Sequence, residues 1–321
     1  MERGVIVVGA GIIGLTTAVV LAEAGTPVRV WSRDPVEMTT SAAAGALWEP
    51  YRVEPQELVF DWSRRSFRVL EELAAKPDET GVRMADGIQA HPEGEGPPFW
   101  AATVPGMRRA TADELPPGCA SGYRARMPLV DMPTHLGHLT RRLAAAGGEL
   151  EPRAITSFDE PAAEAGVVVN CTGLGARELV PDPGVRPVQG QIVVVENPGL
   201  TEWFVDPGGE GEDALYALPQ PFGVVLGGTA REDEWGTEPD PEIAAGIVRR
   251  VCRLDPRLAQ ARVLGHRVGL RPYRHAVRME SERRPDGTLL VHNYGHGGAG
   301  ITVSWGCARD AAALVARDRG I

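Results

Sequence analysis

The chain has 321 residues, 43% hydrophobic and 24% charged, the texture of a soluble globular protein and not of a disordered one. A formal net charge of -10 argues against nucleic acid as a partner, because phosphate binding needs a basic face. Four scattered cysteines (Cys119, Cys171, Cys252, Cys307) without a CxxC pair, and a single lysine, Lys76, in a polar Pro-flanked stretch, argue against a zinc ribbon, a disulfide scaffold, a Schiff-base lysine and a Walker lysine.

Gly4 to Ala22 carries no charge, a length that imitates a membrane span or signal peptide. Its internal punctuation says otherwise. Val5 to Val8 reads as a buried strand, Gly9-Ala10-Gly11 breaks it, and Ile12 to Ala24 reads as a helix ended by Gly25. The strand Val28 to Trp31 follows at once, so the segment is a βαβ unit and no membrane is expected.

Phe60 to Ala75 has the spacing of an amphipathic helix, through Trp62, Phe67, Leu70 and Leu73. Pro92 to Pro98 and Gly208 to Asp213 read as solvated loops. Gln191 to Glu196, Ala214 to Leu218 and Gly223 to Gly228 read as strands of an open sheet, and Thr302 to Arg317 as a closing helix. Continuous apolar runs such as Val167-Val168-Val169 fit parallel strands buried on both faces. The expected fold class is α/β: a Rossmann-like parallel-sheet domain from residues 1–52, 140–190 and 262–321, with a β-rich α+β domain from 53–139 and 191–261.

Gly9-Ala10-Gly11-Ile12-Ile13-Gly14 is GxGxxG between a strand and a helix, the context that gives the motif meaning. Gly9 permits the turn, Gly11 lets backbone approach a pyrophosphate, and Gly14 lets helix pack on strand. The helix N-terminus then faces the phosphates. Ser32-Arg33-Asp34 ends the second strand ambiguously: Asp34 sits past the strand end, and Arg33 fits the extra phosphate of NADP. Thr39-Thr40-Ser41 and Ala42-Ala43-Ala44-Gly45 favour a flavin, offering hydroxyls and close backbone to a diphosphate and ring.

A second glycine loop, His292 to Thr302, follows the apolar strand Leu289 to Val291 and precedes the last helix. A helix start here favours negative charge, as on a reduced flavin. His292 and His296 have the spacing of a metal pair on a helix, but glycines surround them and no third ligand is evident, so no metal is expected. His135 and His138 read as surface or packing residues, and no GxSxG elbow supports a hydrolase.

These blocks, with Ala43 to Tyr51, Val169-Asn170-Cys171-Thr172-Gly173, Gly190-Gln191-Ile192, Tyr216 to Pro219, Gly227-Gly228, Gly269 to Pro272 and Trp305 to Ala308, resemble the D-amino acid oxidases of the FAD-dependent amine oxidoreductases over essentially the whole chain. The resemblance implies non-covalent FAD and oxidative deamination of a D-amino acid to a 2-oxo acid, ammonia and hydrogen peroxide, by hydride transfer to flavin N5 and reoxidation by oxygen. It implies that Arg271 and Tyr216 hold the substrate carboxylate, that the Gly298 carbonyl accepts from the amine, and that Glu49 lies near the substrate. FAD contacts would come from Gly9, Ala10, Gly11, Ile12, Ile13, Gly14, Ser32, Arg33, Thr39, Thr40, Ala44, Gly45, Ala46, Cys171, Thr172, Gly173, Gly297, Gly300, Ile301 and Thr302.

The sequence also departs from that pattern. Glu49 stands where animal members resemble Gln, and Ala299 replaces a bulkier residue. Glu202, Asp206, Glu210, Glu212 and Asp213 come without a cation. Arg231, the nearest candidate for holding a second substrate carboxylate, is one residue out of register. Neutral, medium or branched D-amino acids are therefore expected, with basic ones also open. No counterpart of the family's lid tyrosine aligns. The ending Asp318-Arg319-Gly320-Ile321 is not a peroxisomal SKL-type signal, so the cytoplasm is the expected location, with a homodimer left open. The alternatives are a D-aspartate oxidase or glycine/sarcosine-type oxidase, an NADP-dependent reductase, and a flavin-carrying module without turnover.

Overall fold

The computed structural model of the chain describes residues 4–91, 96–208 and 213–320. The amino-terminal unit is β1 (Val5–Val8), α1 (Ile12–Glu23) and β2 (Val28–Ser32). Every residue of β1 is buried, which is why it is an unbroken apolar run and not an alternating one. After it come α2 (Gln56–Leu73), α3 (Pro77–Thr80), β3 (Val82–His91), β4 (Arg108–Arg109), β5 (Ser121–Val130), α4 (Met132–Ala145), β6 (Glu149–Pro152), α5 (Asp159–Glu164), β7 (Val167–Asn170) and α6 (Ala176–Leu179). The chain continues through β8 (Arg186–Val195), β9 (Trp203–Asp206), β10 (Leu215–Gln220), β11 (Gly223–Gly227), β12 (Arg231–Glu232), α7 (Pro241–Leu254), β13 (Val263–Arg283), β14 (Leu289–His296) and α8 (Gly300–Arg319).

One sheet holds all these strands, in the order β4-β5-β3-β9-β10-β11-β8-β13-β14-β7-β1-β2-β6, with β12 beside β8. From β14 to β6 every neighbour is parallel; Val5 of β1 pairs with Val28 on one side and Val167 on the other. The rest is largely antiparallel, with β3 and β9 the parallel exception. β13 joins the two halves. Its first part pairs with β8 up to Tyr273↔Arg186, and its second pairs with β14 from Tyr273↔His296.

Helices α1, α4 and α8 share the largest core cluster, with Leu15, Val19, Leu139 and Val315 nearly or wholly inaccessible. Burying such a side chain contributes about 1.5–3 kcal/mol. α7 covers β8, β10 and β11 through Ile247 and Val251. Its start is set by sequence: Asp240 accepts from the Glu242 and Ile243 N–H groups, and Pro241 opens the first turn.

The structure moves several expected boundaries; the strand expected from Gln191 begins at Arg186. α2 begins at Gln56, four residues before Phe60: Gln56, Glu57 and Leu58 are exposed, and Val59, three residues before Trp62, already belongs to the buried face. The last helix begins at Gly300, not Thr302. β14 runs on through His292 to His296, so His292 and His296 lie on a strand, not on a helix or in a loop. Of the expected loops, 92–95 and 209–212 lie outside the described residues, with Glu210 and Glu212 among them. His135 and His138 pack inside, with His135 Nδ1 2.8 Å from the Thr80 carbonyl. No described helix is long and apolar enough to cross a membrane.

Candidate active site

A cleft of about 1200 Å³ follows the carboxyl ends of β1, β2 and β7 and continues to the junction of β8 and β13. That exceeds the roughly 300–1,000 Å³ of ordinary small-molecule pockets and suits an elongated ligand.

At one end Gly9 has φ 110°, a conformation that suits glycine, and a Cβ there would collide with the Cys171 carbonyl. A Cβ on Gly14 would collide with the Gly9 carbonyl, so Gly14 serves the close approach of α1 to β1. A Cβ on Gly11 would meet only Ser41 Oγ, at 3.1 Å. The GxGxxG turn thus leaves open space where a pyrophosphate needs it and is tight where the fold needs it. The Ile12 N–H opening α1 donates to Ser41 Oγ at 3.0 Å, and Ala10, Gly11, Ile12 and Ile13 all line the cleft.

Ser32 Oγ donates to the Asp34 carbonyl, and Arg33 pairs with Asp34 at 2.8 Å, so the cation read as fitting NADP is engaged by its own neighbour. The Arg153 guanidinium lies 3.7 Å from the Trp31 ring centroid and roofs this end. Thr39, Thr40, Ala44, Gly45 and Ala46 form one wall, where Thr40 Oγ1 donates to the Leu270 carbonyl. Cys171, Thr172 and Gly173 form the opposite one. Burial pushes the Cys171 thiol up to about 12, which makes it an inert packing group.

At the other end Arg271 projects from β13, half-buried, across Gly190 of β8. Its Nη1 donates to the Thr229 carbonyl at 2.9 Å, and it also bonds the Tyr216 hydroxyl. Among the described residues no carboxylate lies within ion-pair distance of Arg271, so its charge is held in place by neutral partners. The Tyr216 ring passes over Gly227 and Gly228, where a Cβ on Gly228 would stand 2.7 Å from its hydroxyl. Gly298 is exposed to the cleft, and a Cβ there would meet Tyr51 at 3.2 Å and Arg271 at 3.4 Å. Glu49 lines the same space, half-buried; burial lifts its carboxyl to about 7.

Of the cofactor and substrate contacts expected from sequence, all but Gly14 and Thr302 line this cleft. Gly14 is the packing glycine described above. Thr302 is buried: its hydroxyl accepts from the Glu49 N–H at 3.1 Å and donates to the Glu49 carbonyl at 2.9 Å. It ties α8 to the Glu49 segment beside the lining residues Gly300 and Ile301. The lining residues Gly300 and Ile301 open α8, with Gly297 lining the cleft just before it, and a Cβ on Gly300 would touch Ile12 at 3.2 Å, so two helix starts meet in the cleft. Arg231 is exposed and does not line the cleft.

Tyr51 and Arg153 also line the cleft without having been singled out. Tyr51 stood in a quoted block, three residues from the tryptophan Trp48; Arg153 follows a short charged edge strand and carries no local signal.

A flavin dinucleotide fits these residues. The glycine cradle is open only at Gly11, and two residues of the cleft wall, Asn293 and His296, each carry a buried polar atom, Oδ1 and Nε2, without a protein partner among the described residues. A family model described as FAD dependent oxidoreductase matches residues 4–314. The chain belongs to this family. It is 59% identical over 311 residues to a D-amino-acid oxidase of Streptomyces coelicolor, covering 97% of this chain and 96% of that one. It is 51% identical over 313 residues to a D-amino-acid oxidase of Rubrobacter xylanophilus, covering 96% and 94%. Among solved structures, glycine oxidase from Bacillus cereus superposes with a TM-score of 0.81 at 20% identity, over 98% of this chain and 97% of that one. That likeness gives this FAD-dependent oxidoreductase its fold; the two sequence relatives bear on its chemistry.

Proposed function

We propose that the protein is a D-amino acid oxidase, releasing a 2-oxo acid, ammonia and hydrogen peroxide. The observation that carries this is Arg271: a half-buried guanidinium without a carboxylate partner among the described residues, bonded to Tyr216, at the end of a dinucleotide cleft. Guanidinium matches carboxylate in a bidentate pair and keeps its charge at any working pH. Arg271 and the Tyr216 hydroxyl hold the substrate carboxylate, and the Gly298 carbonyl accepts from the amine. With those two groups fixed, one α-hydrogen faces the cofactor, which selects a single enantiomer. The chemistry FAD would supply when bound is acceptance of a hydride and passage of its two electrons, with protons, to oxygen. The protein contributes orientation, not a proton-transfer group at the reacting carbon.

FAD is held along Gly9–Ile13, Ser32–Arg33, Thr39–Thr40, Ala44–Ala46, Cys171–Gly173 and Gly297–Ile301. The parallel strands β1, β2, β6, β7 and β14 support a cofactor domain of residues 1–52, 140–190 and 262–321, with 53–139 and 191–261 forming the substrate side. Glu49 disfavours a second carboxylate, and exposed Arg231 offers no cation for one, so neutral and branched side chains are preferred.

The test is a visible spectrum of the purified protein before and after anaerobic D-alanine. Flavin bands that bleach, return with air and ignore L-alanine are expected. A flavin spectrum unmoved by D-alanine but bleached by glycine, sarcosine or D-aspartate would overturn the substrate assignment.

A further inference from the structure

Behind the cleft wall at Thr172 lies a chain of polar groups that the chemistry above does not use. Asn170 ends β7 and pairs in register with His292 of β14. Both side chains are wholly buried. The Thr172 N–H and Thr172 hydroxyl both donate to Asn170 Oδ1, at 3.2 and 2.7 Å. On the other side Asn170 Nδ2 lies 3.3 Å from His292 Nδ1, and His292 Nε2 lies 3.2 Å from Glu282 Oε1.

Donor arithmetic leaves one arrangement. A backbone N–H only donates, so the Asn170 oxygen must face Thr172 and its NH2 must face His292. His292 Nδ1 must then be an acceptor, and the ring proton sits on Nε2, donated to Glu282. We infer that His292 is a positioning residue for the cofactor site, because its bare Nδ1 fixes the orientation of the Asn170 amide and, through it, the Thr172–Gly173 turn that lines the cleft. This rests on the reading of Thr172 and Gly173 as cofactor contacts.

The arrangement has a proton-dependent failure. A second ring proton turns Nδ1 into a donor facing the Asn170 NH2. Relief requires the amide to turn over, which sets its NH2 against the Thr172 N–H and breaks that bond, while the Thr172 hydroxyl turns to accept. The charged groups around the ring are Glu282, Glu280 and Arg278 on β13; on β14 the Tyr294 ring stands edge-on at 5.7 Å, with Asp182 and Arg274 beyond it. β7 contributes only the neutral Asn170. Burial, with Arg278 adding to it, holds the imidazole below its ordinary range despite both glutamates, so the neutral form prevails at pH 7.

The test is FAD binding to the full-length apoprotein, followed by flavin fluorescence from pH 4 to pH 8. For the natural chain the dissociation constant should rise about tenfold on the acid side, the scale of one broken buried hydrogen bond. His292→Asn keeps an acceptor near the Nδ1 position but does not titrate; it should bind FAD as the natural chain does at pH 8, without the acid weakening. His292→Phe should bind weakly at every pH. An acid weakening that persists in His292→Asn, or none in the natural chain, overturns the inference. Nitrogen NMR of the natural chain gives a readout independent of folding variants: the Nε2–H tautomer is expected, and Nδ1–H overturns it. Thr172→Val separates the two layers. If it weakens FAD while the histidine variants do not, the relay alone fails; if it leaves FAD binding unchanged, the contact reading fails and the inference with it.

Discussion

The guanidinium of Arg271 lies directly over Gly190 on the neighbouring strand, in the space a side chain at that position would occupy. Only glycine leaves β13 this way of presenting its arginine to the cleft. A Gly190→Ala change would push against the far end of a flexible side chain, so the arginine shifts and the fold stands. KM for the D-amino acid should rise about 10- to 100-fold, the scale of a hydrogen bond to a charged group, with the melting temperature nearly unchanged. Steady-state kinetics beside a thermal melt check this.

Arg271→Lys keeps the charge and loses the fork. The expected result is a fall in kcat/KM of about 100-fold, with FAD still bound and its spectrum unaltered. Tyr216→Phe removes one neutral donor and should cost about tenfold. A cofactor lost in either variant would mean that these side chains support the fold instead.

Glu49 makes substrate choice depend on pH. Its carboxyl titrates near 7 because burial penalises the charged form. At pH 6 it is mostly neutral, and at pH 8 it is an anion in the cleft. The ratio of kcat/KM for D-glutamate to that for D-leucine should therefore fall between pH 6 and pH 8, and be flat in Glu49→Gln. Stability carries the same sign. The folded carboxyl titrates higher than the unfolded one, so stability is lost as pH rises from the ordinary glutamate range to about 7. Glu49→Gln should melt higher than the natural chain at pH 8 and alike at pH 4.

The glycines of the first turn should separate cleanly. Gly14→Ala sets a methyl against the Gly9 backbone, which cannot yield, and should cost several kcal/mol, about 3 or more, with poor recovery of folded protein. Gly11→Ala meets only the Ser41 hydroxyl. Its apoprotein should melt as the natural one does, while FAD affinity falls at least about tenfold, measured by fluorescence titration.

The parts legible in sequence were those where local chemistry and tertiary role coincide. The Val5–Val8 run and the glycines behind it announce a buried strand and a phosphate turn because the same residues do both. β13 announces nothing comparable. Gly265, Gly269 and Pro272 interrupt it, polar residues occupy both faces, and its length arises from serving two partners in succession, which no local period encodes. Tyr51 and Arg153 reach the cleft from loop and edge positions that only the folded sheet brings together.

β13 also governs how the enzyme can breathe. The strand hydrogen-bonds to β8 with one part and to β14 with the next, and Arg271 sits two residues before the changeover at Tyr273. It works as a continuous beam laid across both sides of the cleft. A hinge between them would have to tear a ladder of backbone bonds at the level of Arg271. Traffic in and out of the cleft must then be carried by the loops at its rim, with the clamp itself standing still.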